Sequence, residues 1–291
     1  MADPQPAAQA RRPFVTIVIA VMNGAAVLER CLDNIAAQTF RDFEVVVADG
    51  GSSDGTLEVL KRRAAMLAHW HTARDRGVYD AWNSLLPHAR GEWICFLGAD
   101  DRFADCGVLA RMAAALRAGP GATPRVRIAY GRLNIVDANG RVLEPIERPW
   151  QRIRPAFFAG LTMIPHPGCF HHRSVFDRHG TFNPDYRIAG DYDVLLRELK
   201  SGEALYLPDI VTVDMQTGGL SNKPENLLLG LQEIRRARSA NAIRGVAWRL
   251  GLRILLARVG FAVYRIAGPG ALRLLSDLYR VLTLRKRKWT V

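Results

Sequence analysis

Asp100 and Asp101 end an apolar run, Trp93-Ile94-Cys95-Phe96-Leu97-Gly98-Ala99, on two adjacent carboxylates. Two like charges at the end of a buried strand are costly unless a cation or solvent meets them. A divalent ion carrying a nucleotide's diphosphate satisfies both; a turn, or the N-cap of the next helix, is the simpler alternative. A second cluster, Asp49-Gly50-Gly51-Ser52-Ser53-Asp54-Gly55-Thr56, offers glycines that let backbone approach a ligand, and Asp54 or Ser53 as a cap for a helix starting near Thr56. A plain strand-to-helix turn explains those residues but not the acid at Asp49, which is placed to accept a hydrogen bond from a base ring. The loop has neither Gly-x-Gly-x-x-Gly nor Gly-Lys-Ser/Thr, so both usual phosphate cradles are absent and a metal is the simplest way to meet phosphate charge.

These clusters need elements to hold them. Val15 to Val21 is a β-branched run, as a parallel strand covered on both faces requires, and Asn23-Gly24 ends it. Val27, Leu28, Cys31, Leu32 and Ile35 have helical spacing, and Phe43 to Ala48 starts a second strand, completing a βαβ unit. Helices over Thr56 to Leu67 and Val78 to His88, with strands over Ala68 to Thr72 and Trp93 to Leu97, continue the alternation. The expected fold is an α/β, Rossmann-like, mostly parallel sheet flanked by helices. Its ligand crevice lies at the carboxyl ends of the strands, where Met22-Asn23, Asp49 and Asp100-Asp101 all fall.

In order, Val15 to Asn23, Asp49 to Thr56, Asp75-Arg76-Gly77-Val78-Tyr79-Asp80-Ala81-Trp82-Asn83 and Gly91 to Asp101 resemble the family 2 glycosyltransferases of GT-A fold, over roughly Pro13 to Leu220. The resemblance implies that Ala20 and Met22, with Asn23 beside them, line the base pocket, that Asp49 holds the base, and that Arg76 lies near the diphosphate. Asp100-Asp101 then stands for the family's metal-binding Asp-x-Asp. Many relatives carry two acids at the second-strand tip; here the second is Gly50. Mg2+ or Mn2+ is usually held by one or two carboxylates, with water and phosphate oxygens in the other positions. Asp101 is taken as the direct ligand and Asp100 as the neighbour reaching the ribose or a metal-bound water, the reverse assignment remaining open.

Downstream, His166 to Phe176 followed by Ile188-Ala189-Gly190-Asp191-Tyr192-Asp193 is similar to the family's acceptor side, where the acid opening the helix is the catalytic base; Asp191 matches it. The helix dipole keeps such an acid ionised, although it can also serve only as an N-cap. Asp193 is the backup. His166 is read as an acceptor or phosphate contact, His171 and His172 as strand or loop residues, and Gly218 to Asn222, with Gly219 and Ser221, as a loop that closes over the donor. Trp82 and Trp93 suit the core, and Trp150 could present a stacking face to a sugar. The implied reaction is an inverting, metal-assisted transfer from a UDP-, GDP- or TDP-sugar to a hydroxyl, on a sugar or lipid-linked sugar.

The +12 net charge is not spread along the chain. Fourteen of the 40 Lys and Arg, but one of the 28 acids, lie from Arg235 onward. There they alternate with apolar residues over Ile243 to Ala267 and Ala271 to Leu284, a pattern that suits an anionic membrane surface and not nucleic acid. A second copy of the chain is the other partner these helices could take. Charge interrupts them too often for a bilayer span. The four cysteines have no Cys-x-x-Cys spacing and fit a reduced compartment. The expected organisation is a disordered lead over 1–13, a GT-A domain over 14–222 with a nucleotide-sugar half (14–103) and an acceptor half (104–222), and a basic amphipathic helical tail over 223–291. With no signal peptide in Met1 to Pro13, the protein is expected in the cytoplasm, peripheral on the inner face of the plasma membrane. A sugar nucleotidyltransferase would need a glycine-rich basic loop after the first strand, where Asn23-Gly24-Ala25-Ala26 has no base. A non-catalytic membrane-tethered scaffold leaves Asp49, Asp100-Asp101 and Asp191 without a purpose.

Overall fold

The structure, a computed structural model, describes residues 12–118, 126–217, 224–245, 248–262 and 265–266. They fall in two compact units: 12–150, 164–184 and 198–217 make the first, and 151–163, 185–197 and the described residues from 224 onward the second. The expected lead, the loop with Gly219 and Ser221, and the helix over Ala271 to Leu284 lie outside the described residues.

In the first unit β1 (Val15–Val21) runs between β2 (Phe43–Asp49) and β4 (Trp93–Gly98), parallel to both, and β3 (His69–Thr72) lies parallel to β2. Val21 is level with Asp49, Asp49 with Thr72 and Ala20 with Gly98, so four strands end at one edge. Burial of β-branched residues on both faces drives this arrangement: Ile17, Ile19, Val45 and Val47 pack with Leu28, Leu32 and Ile35 of α1 (Ala25–Ala36). α2 (Thr56–Arg63) and α3 (Val78–Leu85) are shorter than the sequence pattern indicates. Each runs on into a 3-10 turn, the second at Leu86–His88, where Pro87 cannot continue the α-helical ladder.

β5 (Arg102–Phe103), α4 (Val108–Ala118), β6 (Val126–Val136) and β7 (Val142–Ile146) precede α5 (Trp150–Phe158), β8 (Phe170–His172) and α6 (Ser174–His179). α7 (Gly190–Leu199), β9 (Glu203–Gln216) and α8 (Pro224–Ala240) follow, and α9 covers 248–262. The strand order is β3-β2-β1-β4-β8-β6-β9-β5, with β7 on β6. The parallel expectation holds for β1 to β4; beyond β4 the sheet is mixed, since β8 runs antiparallel to both β4 and β6. The strand legible at Ile210 to Val213 is one part of the 14-residue β9. Pro208 hides its length. The register with β6 slips between Leu207 and Val211, and the Ile210 carbonyl closes on Gly131, where a Cβ would stand 2.2 Å from it.

Candidate active site

The loops after β1 and β2 are laced together. Asn23, whose φ of +50° is left-handed, donates its N–H to Ser52 Oγ (2.7 Å) and accepts the Ser53 N–H (2.9 Å). Asp54 caps two helices at once: Oδ1 accepts the Thr56 N–H and hydroxyl, and Oδ2 the Ala25 N–H, which hold its carboxyl below the usual range. Ala20 is half-buried behind this loop and Met22 is 65% exposed at the strand end.

Asp49 sits otherwise than its sequence position indicates. It is 1% exposed, and its carboxylate accepts the Ser52 N–H, the Ser52 hydroxyl and, at 2.5 Å, the Thr72 hydroxyl. Ser52 returns from three residues on and Thr72 comes from β3, so this acid braces the turn. Arg76 is exposed and pairs with Asp80, Nη2 to Oδ1 at 3.2 Å. That pairing holds the Asp80 carboxyl below its ordinary value.

At the β4 end the two acids fold back over Gly98. A Cβ on this glycine would meet Asp101 Oδ2 at 2.6 Å and Asp100 Oδ1 at 2.9 Å, so the two oxygens face one point. Asp100 is exposed and Asp101 only 5% exposed. Burial, then the Asp100 charge, push the Asp101 carboxyl up to about 7, against backbone hydrogen bonds from Gln216, the last residue of β9, and Gly98. An acid so strained as an anion, with a second oxygen beside it, fits a divalent cation that brings further ligands. Among the described residues no three His, Cys, Asp or Glu gather around one point. A cation held here would take its protein ligands from this pair, with phosphate and water oxygens in the other positions.

Asp191 lies in the second unit, in the first turn of α7 and not at its cap, and its Oδ1 accepts the Tyr192 N–H at 2.8 Å. Tyr192 is fully buried and anchors the turn by donating its hydroxyl to the Phe157 carbonyl. Asp193 is committed to Arg197 (3.1 Å) and to the Asn241 amide (3.0 Å). A residue the motifs do not signal completes this region. The Glu233 carboxylate, from α8 and 5% exposed, accepts the N–H groups of Arg187, Ile188 and Ala189, each at 2.8 Å. It fixes the segment entering α7, and only its helical burial among apolar neighbours could have marked it.

His166 is buried and not open to a ligand from solvent. Its ring lies 5.3 Å from Phe96 and 5.1 Å from Trp82, and neither His166 Nε2 nor Trp82 Nε1 has a hydrogen-bond partner among the described residues. Desolvation drives its pKa well below the ordinary value. His171 and His172 are strand residues of β8, as expected. Trp150 offers no stacking face: it is fully buried and its indole N–H donates to Glu203.

Residues 16–180 match the family model described as Glycosyl transferase family 2. The PGL/p-HBAD biosynthesis glycosyltransferases of Mycobacterium bovis and Mycobacterium tuberculosis are 35% identical over 215 residues, 72% of this chain and 80% of theirs. The mannosyltransferase PcManGT from Pyrobaculum calidifontis, in complex with GDP-Man and Mn2+, superposes with a TM-score of 0.64 at 22% identity, over 95% of this chain and 82% of that one. S. aureus TarS 1-349 in complex with UDP-GlcNAc gives 0.62 at 18% identity, over 92% and 77%. The fold is thus that of GT-A glycosyltransferases. The chain belongs to glycosyltransferase family 2 and is a sugar-transferring enzyme.

Proposed function

We propose that the enzyme takes its sugar from a nucleoside-diphosphate sugar lying over the carboxyl ends of β1, β2 and β4, and passes it with inversion to a hydroxyl of a lipid-linked sugar or polysaccharide. The observation that carries this reading is the convergence of the Asp100 and Asp101 oxygens beside Gly98, on the strand edge that also holds Asn23 and Asp49. A divalent ion, Mg2+ or Mn2+, held by Asp101 with Asp100 beside it, would neutralise charge developing on the departing diphosphate. Asp191 takes the proton of the acceptor hydroxyl as it attacks the anomeric carbon opposite the leaving group. Arg76 adds positive charge near the diphosphate, and Gly219 and Ser221 belong to the segment proposed to close over it. GDP-Man in PcManGT and UDP-GlcNAc in TarS support a nucleotide sugar as donor without choosing between nucleotides.

The second unit supports a membrane site for the reaction. No helix among the described residues is long and apolar enough to cross a membrane. α9 instead packs Leu250 and Ile254 against Leu231 of α8, and exposes Trp248, Leu252, Leu255 and Val259 as a single stripe at spacings of four, three and four. At 3.6 residues per turn Arg249 and Arg253 flank one side of that stripe and Arg258 the other, as a helix lying in an anionic surface requires.

The test is incubation with Mn2+ and a panel of UDP-, GDP- and TDP-sugars, following free nucleoside diphosphate and then the anomeric configuration of the product by NMR. Slow donor hydrolysis and an inverted product are expected. Release from none of the donors would overturn the donor reading, and a retained configuration the single displacement.

A further inference from the structure

Gly50 follows Asp49 at the tip of β2, yet its backbone does not require glycine: φ is left-handed at Gly51 and Gly55 but not at Gly50. What requires it is space. A Cβ at position 50 would stand 2.8 Å from Asp75 Oδ2 and 3.5 Å from both Asp75 Cγ and Met22 Cβ. The carboxylate of Asp75, from the loop between β3 and α3, therefore occupies the place a side chain at the β2 tip would take, beside the end of β1.

The two oxygens of Asp75 are used differently. Oδ1 accepts the Gly77 N–H at 2.9 Å, which pins the side chain ahead of α3. Oδ2 has no hydrogen-bond or ion-pair partner among the described residues, and Asp75 is half-buried. Asp49 is the reverse case: both its oxygens are taken by Ser52 and Thr72 and it is sealed from solvent. Of the two carboxylates at this tip, only Asp75 is partly exposed and keeps an oxygen without a hydrogen-bond partner among the described residues.

Strand order says what it would accept. β2, β1 and β4 are consecutive in the sheet, and neighbouring strands lie about 4.8 Å apart, so the β2 tip stands roughly 10 Å from the β4 tip. With a diphosphate at Asp100-Asp101, a nucleoside laid along the strand tips toward β2 would put its ribose over β1 and its base over β2. We infer that Asp75, through Oδ2, recognises the base, favouring uracil, thymine and guanine over adenine and cytosine by accepting the ring N–H that lies beside a carbonyl in the first three. This rests on the nucleotide-sugar reading above and assigns Asp49 to positioning the turn.

Calorimetry on the full chain with Mn2+ tests it, using UDP, GDP and inorganic pyrophosphate as probes. Asp75→Asn keeps the acceptor for Gly77 but turns a donor toward the base. It should weaken the preferred nucleoside diphosphate about ten- to hundredfold, the worth of a hydrogen bond to a charged group, and leave pyrophosphate within about twofold. Gly50→Ala, which crowds the same carboxylate, should act the same way. The preferred nucleotide methylated at that ring nitrogen should bind wild type as weakly as the unmethylated nucleotide binds Asp75→Asn. Unchanged nucleotide affinity in Asp75→Asn, or equal losses for nucleotide and pyrophosphate, would overturn the assignment. Wild type that binds pyrophosphate but no nucleoside diphosphate would overturn the donor reading itself.

Discussion

At the scale of single residues, the second unit separates two carboxylates that the sequence places two positions apart. Asp193 is tied to the Arg197 guanidinium and the Asn241 amide, and Asp191 Oδ1 accepts the N–H of Tyr192 in the first turn of α7. The Arg197 and Asn241 bonds make Asp193 a residue that holds the fold, and the proposed proton acceptor is Asp191, on its match to the family's base. Asp191→Asn should lower transfer at least a thousandfold while leaving donor affinity within about threefold, since a group acting on the acceptor's proton contributes little to donor binding. Asp193→Asn should lose stability with a smaller loss of rate. Parallel calorimetry and initial-rate measurements decide the matter: if donor binding and transfer fall together in Asp191→Asn, the residue holds the fold and not the proton.

Among the elements, the segment entering α7 is held by Glu233, which collects three consecutive N–H groups, the last of them, from Ala189, buried. Glu233→Gln keeps one acceptor and sets an N–H2 against an N–H, at a cost of about 2–3 kcal/mol. The thermal midpoint should fall by roughly 5–10 °C, with kcat reduced more than donor affinity; an unchanged midpoint would show the three bonds to be worth nothing. α9 presents a separate test. Leu255→Glu combined with Val259→Glu puts charge on its exposed stripe, not on the Leu250 and Ile254 face that meets α8. The double variant should lose co-sedimentation with anionic phospholipid vesicles and keep the wild-type midpoint. Equal sedimentation would refute the membrane face, and a change from dimer to monomer in the variant would assign the stripe to a second copy. Much of this level was legible in the sequence: β-branched runs marked β1 and β2, and the acids at the ends of β2 and β4 marked the edge proposed to bind the donor. The rest depends on partners far away in the chain. Nothing local to Asp49 announces Thr72, nothing beside Gly50 announces Asp75, and Glu233 meets α7 only through tertiary packing.

Across the whole molecule, buried ionisable groups pull stability in opposite directions as pH changes. His171 is wholly buried among Phe96, Phe176 and His166, neither ring nitrogen has a partner among the described residues, and desolvation lowers its pKa to about 4. Between pH 6.5 and 4 the unfolded chain takes up a proton there that the native state refuses, so stability is lost as pH falls, by about 3 kcal/mol over the window. His166 contributes in the same direction. Asp101 opposes both: its carboxyl is raised to about 7, so the native state holds a proton that the unfolded chain releases above pH 4, and its contribution is lost as pH rises toward 7. The net slope of wild type is a sum, but a variant isolates one part of it. His171→Phe suits the aromatic cluster, leaves no unpartnered nitrogen and cannot titrate. At pH 7.5 its midpoint should lie close to or above that of wild type. On lowering the pH to 4.5 the gap should widen by roughly 5–10 °C in the variant's favour, because only wild type loses the His171 contribution. Thermal melts of both proteins without added metal, across that range, measure the gap directly. A gap that stays constant with pH would mean that His171 titrates alike in the native and unfolded chains, which a ring sealed between Phe96 and Phe176 cannot do.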